Sequence, residues 1–332
     1  VARVSVLMSV YNGETYLQEA INSILHQQFT DFEFIIINDG STDRSAGIIQ
    51  SYHDARIRYF ENGQNIGLID SLNHGLSLAR SPYIARMDAD DVSLPERLAR
   101  QVDFLNVHPE IGVVGSAVQV IDGAGNPSHV WRFPTEHGVI AWRLFFADPI
   151  AHPTVMIRRE VVSQVGGYSA DMVHAEDYDL WRRLSHTTCL SNLPDVLLRL
   201  RRHESCVTRA HHTQQWNNSI RISHLMISEV LGEDVPMRLV QHLWGEQFQS
   251  LNDVRQVANL IYRLYQASVI DNALSAAEKR VIRRDACRRL FDLGRQRTGD
   301  GYAWELIGLV PRIDPLVIGR VAAGRLRRIV RG

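Results

Sequence analysis

Cysteine is scarce in this 332-residue chain, which carries only Cys189, Cys206 and Cys287. An odd count with no C-x-x-C pair excludes a disulfide framework and a cysteine zinc site, and fits a reducing compartment. Lysine is scarcer still: Lys279 is the only one among 36 Lys and Arg residues. Its absence upstream removes the P-loop, whose glycines precede a Lys, and any Schiff-base chemistry in that stretch. Net charge is −1, so there is no global attraction to nucleic acid or acidic membrane. No uncharged apolar run reaches about 18 residues. The best candidate, "LIGLVPRIDPLVIG" from Leu306, is broken by Arg312 and Asp314, so no membrane-spanning helix is expected. The first residues run straight into a strand pattern, which predicts no secretory signal and a cytoplasmic location.

Charge is unevenly spread. From Lys279 to the end, 14 Lys and Arg stand against 5 Asp and Glu. Such asymmetry predicts two surfaces with different partners. The final stretch, "IDPLVIGRVAAGRLRRIVRG", interleaves Arg320, Arg325, Arg327, Arg328 and Arg331 with Leu, Ile and Val. It reads as a basic amphipathic helix for the inner face of a membrane. An ordinary helix with a solvated basic face is the alternative, and Gly319 and Gly324 weaken the helix.

What is abundant is alternation. "RVSVLMSVY" from Arg3 and "FEFIIIN" from Phe32 are apolar on both faces, as central strands of a parallel sheet must be. Between them Leu17, Ala20, Ile21, Ile24 and Leu25 recur at helical spacing. Ser41, Thr42 and Asp43 can cap a helix carrying Ile48 and Ile49. "RIRYFE", "YIARM" (Tyr83 to Met87) and "IGVVGSAVQVI" read as strands, and Gly67 to Ala79 as a helix. Pro95 suits the first position of the next helix, with Asp91 or Ser93 as its cap. The pattern predicts an α/β fold with a mainly parallel sheet flanked by helices. Further on, "HPTVMIRR" from His152 and "VLLRLRRH" from Val196 read as strands. "EDYDLWRRL" from Glu176 reads as a helix with acids in its positive first turn. Beyond about His211 amphipathic helices take over.

Polar and acidic clusters fall at likely cleft positions, where ligands of open α/β sheets bind. These are Asn38-Asp39, Asp88-Ala89-Asp90-Asp91 and Glu176-Asp177. Alternate strand residues share a face, so Asp88 and Asp90 can point the same way. Two hard oxygen donors suit Mg²⁺ or Mn²⁺. Solvated loop acids are the plainer explanation.

Together, "VSVLMSVYNGETYLQEAINSILHQQFTDFEFIIINDGSTD", the "DAD" triplet and "GGY…EDYDLWRRL" resemble the family 2 glycosyltransferases, from about Val4 to Thr208. The resemblance implies a GT-A fold and an inverting transfer from a nucleoside-diphosphate sugar, with UDP expected. The acceptor would be a glycan or polyprenyl-linked hydroxyl, in cell-surface polysaccharide synthesis. It implies a GT-A domain over 1–208, split into a nucleotide-sugar half (1–115) and an acceptor and catalytic half (116–208). A helical C-terminal extension (209–332) follows. Ser9 and Tyr11 match the strand end where the base sits. Asp39 matches the acid that accepts the base N–H, Asp88 the acid near the ribose, and Asp90 the metal ligand. Asp177 matches the general base, while Glu176 reads as a charge favouring the helix N-terminus. Arg201 and His203 resemble an R-x-H segment, with His203 near the diphosphate or metal. His152 matches a position beside the acceptor pocket. Asn65, Gly67 and Asn73 fit a loop and helix beneath the sugar nucleotide, though helix capping explains them as well. Two other classes stay open: a sugar-phosphate nucleotidyltransferase, and a nucleotide-sugar sensor that binds without transferring.

Overall fold

Two-sided apolarity puts β1 (Val4–Val10) and β2 (Phe32–Asn38) at the centre of a sheet, where only the Ser9 and Glu33 side chains reach part-way to solvent. The computed structural model describes residues 2–203, 211–270 and 273–294, a small hairpin at 297–298 and 301–302, and Ile313. The chain forms two compact units.

The first unit, residues 1–140 and 148–219, is a mixed α/β unit around one sheet. In sheet order, β3 (Ile57–Glu61), β2, β1 and β4 (Tyr83–Met87) are parallel. β8 (Met156–Arg158) follows, antiparallel to both of its neighbours, β4 and β6 (Ile111–Asp122). β9 (Cys189–Arg202) runs parallel to β6, and β5 (Val92–Ser93) closes that edge. β7 (Pro127–Trp131) pairs with β6 as a side hairpin. The flanking helices are α1 (Leu17–Leu25), α2 (Ser45–Gln50), α3 (Leu68–Leu78), α4 (Arg97–Val107), α5 (His137–Arg143), α6 (Arg159–Gln164) and α7 (Glu176–Ser185). α1 buries Leu17, Ala20, Ile21 and Ile24, the stripe its spacing predicts. The expected mainly parallel α/β architecture is present.

Register levels the strand ends. Val10 pairs with Asn38, and Met8 with Met87. The residues that follow β1, β2 and β4 therefore leave the sheet together, at its carboxyl edge.

Three local expectations are corrected. "HPTVMIRR" is not one strand: His152–Thr154 form a 3-10 turn before β8. Pro153 lacks the N–H a ladder needs, and the Thr154 hydroxyl folds back to donate to Ala151 O at 2.7 Å. α4 starts at Arg97, not Pro95. Neither Asp91 nor Ser93 caps it. Leu98 N–H donates instead to Gln27 Oε1 of α1, and Arg97 N–H to Leu94 O.

The second unit contains Ala141–Ala147 and residues from Ile220 onward. Helix His212–Leu231 carries the chain into it, and Met237–Leu243, Leu251–Ile270 and Ala276–Gly294 follow. Its buried Asp285 accepts from Trp142 Nε1 at 2.8 Å and Arg289 Nε at 2.8 Å. The hairpin Arg297–Thr298 with Gly301–Tyr302 departs from the expected run of helices. No helix among the described residues is long and apolar enough to cross a membrane. Of the final basic stretch only Ile313 is described; the rest, with its predicted membrane-surface helix, lies outside the described residues.

Candidate active site

The carboxyl edge begins with the turn after β1. Tyr11 is 50% exposed, so it is not core. Asn12 takes a left-handed conformation and is tied to the loop after β2. Its Oδ1 accepts from Thr42 N–H, and its own N–H donates to Ser41 Oγ. Gly13 N–H donates to Ser45 Oγ. Ser9 is partly exposed near the end of β1. Asp39 is buried, and its carboxylate accepts from Asn62 Nδ2 (2.8 Å), Ile66 N–H (3.0 Å) and Gly67 N–H (3.0 Å). It thus anchors the segment entering α3. Gly40, at φ +67°, packs so closely that a Cβ there would lie 2.4 Å from the Gln64 backbone. Only glycine fits.

After β4 come the three acids. Ligand oxygens of Asp88, Asp90 and Asp91 lie within 4.8 Å of one another. Burial, then repulsion from Asp88, raises the Asp90 carboxyl. Burial, then Asp90 and Asp88, pushes Asp91 well above the ordinary range. Carboxylates crowded against their own repulsion fit a hard divalent cation. Asp88 and Asp90 remain 35% and 34% exposed in their side chains, open to a ligand. Asp91 is buried and accepts from Arg201 N–H at 2.8 Å, so it fixes β9 rather than capping α4.

β9 returns its end to this cluster. His203 Nε2 lies 2.9 Å from Asp90 Oδ2, beside the Tyr16 ring. Arg201 stacks on Tyr16 and donates to Asp90 O, Asp122 O, Gly123 O and Glu19. Arg201 is therefore a positioning residue. Its bonds lock the backbone that carries Asp90.

The third group lies at the start of α7. Burial is the first cause that raises Asp177. Glu176 is also buried, and burial with its neighbour Asp177 lifts it to about 7. Glu176 stands in the first turn of α7, as expected, and its carboxyl also responds to the charges of Arg86 and Asp88. Asp148 hydrogen-bonds Asp177, and burial followed by that negative neighbour holds its proton on well above the usual range. His152 is buried with Nδ1 4.0 Å from Asp177 Oδ2, while Nε2 meets Tyr168 Oη at 2.8 Å. Burial, then Arg86, pushes the imidazole well down, so it is neutral at pH 7. Asn73 grips the Tyr168 backbone from both sides, accepting from its N–H and donating to its O. That accounts for Asn73 without a helix-capping role.

The sequence-selected residues therefore form three groups: Ser9, Tyr11 and Asp39, and Asp88, Asp90 and His203, at the carboxyl ends of β1, β2 and β4; and Asp177 with His152 at the start of α7. Sequence reasoning missed Arg86, Asp148 and Tyr168. Arg86 had a signal, since it precedes Asp88 by two positions and shares its strand face. Tyr168 had one as well, as the tyrosine of the "GGY" motif, whereas Asp148 had none, because a loop brings it in.

A mixed α/β sheet with polar groups and a clustered acid triad at its carboxyl edge matches one class, the GT-A-type transferases. The family model for glycosyl transferase family 2 matches residues 5–166. An uncharacterized glycosyltransferase of Haemophilus influenzae is 32% identical over 241 residues, covering 69% of this chain and 75% of that protein. The O-antigen biosynthesis glycosyltransferase WbnJ of Escherichia coli is 34% identical over 215 residues, covering 62% of this chain and 82% of WbnJ. Among solved structures, S. aureus TarS in complex with UDP-GlcNAc matches with a TM-score of 0.57 at 18% identity, over 93% of this chain and 92% of that one. The mannosyltransferase PcManGT of Pyrobaculum calidifontis, in complex with GDP-Man and Mn²⁺, matches with a TM-score of 0.53 at 16% identity, over 87% and 81%. The chain belongs to glycosyltransferase family 2 and is a transferase with the GT-A fold.

Proposed function

We propose an inverting sugar transfer from a nucleoside-diphosphate sugar, UDP-linked, to a hydroxyl of a glycan or polyprenyl-linked acceptor, in cell-surface polysaccharide synthesis. One observation carries this reading: ligand oxygens of Asp88, Asp90 and Asp91 lie within 4.8 Å of one another after β4, with Asp88 ion-paired to the buried Arg86. The half-buried Asp177, whose carboxyl responds to the Arg86 charge, supplies the base. WbnJ supports a polysaccharide context, and TarS supports a UDP-sugar.

Tyr11 offers an exposed ring for a base to stack on, next to Ser9. A carboxylate has about four lone-pair sites, and three protein bonds at Asp39 leave room for one imide N–H, as uracil carries. Asp88 accepts from the ribose. Asp90 would hold Mn²⁺ or Mg²⁺, with His203 a further contact to the metal or diphosphate. The cation, when bound, neutralises charge on the leaving diphosphate. On the other side Asp177 takes the proton from the acceptor hydroxyl as its oxygen attacks the anomeric carbon. The C–O bond to the diphosphate breaks on the opposite face, so the configuration inverts. His152 orients the acceptor side through its neutral ring.

The test is release of nucleoside diphosphate from a panel of nucleotide sugars with Mn²⁺ and a mixed glycan acceptor. Turnover is expected with one donor class, abolished by EDTA and restored by Mn²⁺. Asp177→Asn should cut turnover by about 10²–10⁴ while nucleotide-sugar binding stays intact. An α-linked product from an α-linked donor, or wild-type turnover in Asp177→Asn, sinks the mechanism.

A further inference from the structure

Two non-glycine residues among those described take a left-handed conformation, Asn12 and His174. Asn12 lies in the turn after β1, and its bonds to the loop after β2 account for it. His174, at φ +66°, lies three residues before Asp177 and takes no part in the steps above. Its ring stacks on that of His211, with centroids 4.1 Å apart and planes 14° from parallel. Burial, then the charge of His211, lowers the His174 imidazole, so that ring is neutral at pH 7. One residue earlier, Val173 O accepts from Asn218 Nδ2 at 2.8 Å. His211 immediately precedes the helix His212–Leu231, and Asn218 lies in its second turn.

These contacts fall on a loop with little else to hold it. Over residues 169–175 only Met172 and Ala175 are buried. Its own turns, from Met172 N–H to Ser169 O and from Ala175 N–H to Met172 O, shape the loop without fixing its direction. Asn73 grips the Tyr168 backbone at one end, and Asn218 and His211 hold Val173 and His174 at the other. No side chain caps α7, so the backbone through Ala175 sets the direction in which that helix starts. Asp177 is the second residue of α7. Its Oδ1 accepts from Tyr178 N–H at 2.8 Å, and its Oδ2 lies 4.0 Å from His152 Nδ1. A shift of the loop therefore moves the carboxylate that takes the acceptor proton.

We propose that His211 and Asn218 are positioning residues for the base: together they clasp the backbone at Val173 and His174 and hold the start of α7 so that Asp177 faces the acceptor hydroxyl. This rests on the sugar-transfer reading, with Asp177 as base, and deepens it. The clasp acts on the chemical step, while the nucleotide sugar binds without it, around Tyr11, Asp39 and the acid cluster.

The test is steady-state kinetics of the full chain with Mn²⁺, using UDP-GlcNAc, UDP-glucose, UDP-galactose and GDP-mannose as donors and the mixed glycan acceptor. Wild-type turnover, and its loss in Asp177→Asn, tests the transfer reading independently of the clasp. With the preferred donor, His211→Ala should lower kcat about 10–100-fold, the scale of a slightly misplaced catalytic group, while donor KM changes by less than about threefold. His211→Phe keeps a flat ring against His174 and should recover kcat to within about threefold of wild type. Asn218→Ala frees Val173 O and should slow turnover in the same sense. His174→Asn tolerates the left-handed turn but removes the stacked imidazole. Combined with His211→Ala it should be no slower than the slower single variant, as residues acting as one unit require. Hydrogen exchange needs no substrate: in His211→Ala the amides of residues 169–177 should exchange about tenfold faster, with those of β1 unchanged. Wild-type kcat in His211→Ala or Asn218→Ala, no recovery in His211→Phe, a double variant whose losses multiply, or unchanged exchange in the loop overturns the proposal. So does a rise in donor KM equal to the fall in kcat, which would mean a general loosening of the fold.

Discussion

Burial lifts the Glu176 carboxyl from its ordinary 4.5 to about 7, with Asp177 as the second cause. Arg86 opposes the shift and Asp88 adds to it. The fold therefore holds the Glu176 proton where an unfolded chain releases it. This contributes stability below pH 4.5 that is lost as pH rises through about 7. Glu176→Gln is neutral throughout and lacks that loss. In metal-free protein the variant's melting temperature should gain on the wild type between pH 5 and 8, both values bracketing roughly the titration expected from the shift. Parallel melting curves across that interval would mean that Glu176 ionises normally. The same residue marks the limit of sequence reading at this scale. Its position at a helix start was visible, but its surroundings were not. Arg86 and Asp88 lie about ninety residues upstream, and only the folded sheet brings them beside it.

At the scale of elements, β1, β2 and β4 were legible as short runs apolar on both faces, α1 and α3 by their periodic apolar stripes, and α7 by the acids of its first turn. β9 was half legible. "VLLRLRRH" reads as a strand, but the strand begins at Cys189. The first half carries Ser191, Asn192 and Pro194, which argue against a central strand. Its ladder with β6 jumps from Leu193 to Val196, skipping Pro194, and Asn192 Nδ2 reaches Pro134 O and Pro149 O instead. A bulge thus absorbs the proline. α4 gives the sharper case, since its cap is long-range. The Gln27 side chain accepts from Leu98 N–H and donates to Ser23 O and Leu94 O. Gln27→Leu keeps approximate size and leaves those groups buried without partners. It should cost about 1–3 kcal/mol, read as a lower melting temperature with a narrowed urea-stability range. An unchanged melting temperature would mean that water replaces the side chain at the α4 entry. Because α4 abuts the loop that carries the acid triad, metal-stimulated turnover should also fall at elevated temperature in that variant.

At the scale of the whole molecule, charge separates along the chain in a way the catalytic chemistry does not require. The acids gathered at the carboxyl edge would repel an anionic surface, yet 14 Lys and Arg fall after residue 278 against 5 Asp and Glu. A transferase acting on a polyprenyl-linked acceptor has to meet its substrate at a membrane. The basic, apolar-spaced stretch after Arg312 is suited to that contact, each basic residue near an anionic leaflet contributing about 1 kcal/mol. The attraction acts over about 8 Å at physiological ionic strength and shortens as salt rises. Full-length protein should therefore sediment with vesicles containing phosphatidylglycerol, less so with neutral phosphatidylcholine vesicles, and should be released by raising salt. A chain shortened to end at Arg312 should lose most of that binding while keeping turnover on a soluble acceptor analogue. Equal sedimentation of the shortened and full-length chains would remove the final stretch as the anchor, and loss of soluble turnover would assign it to the transferase itself instead.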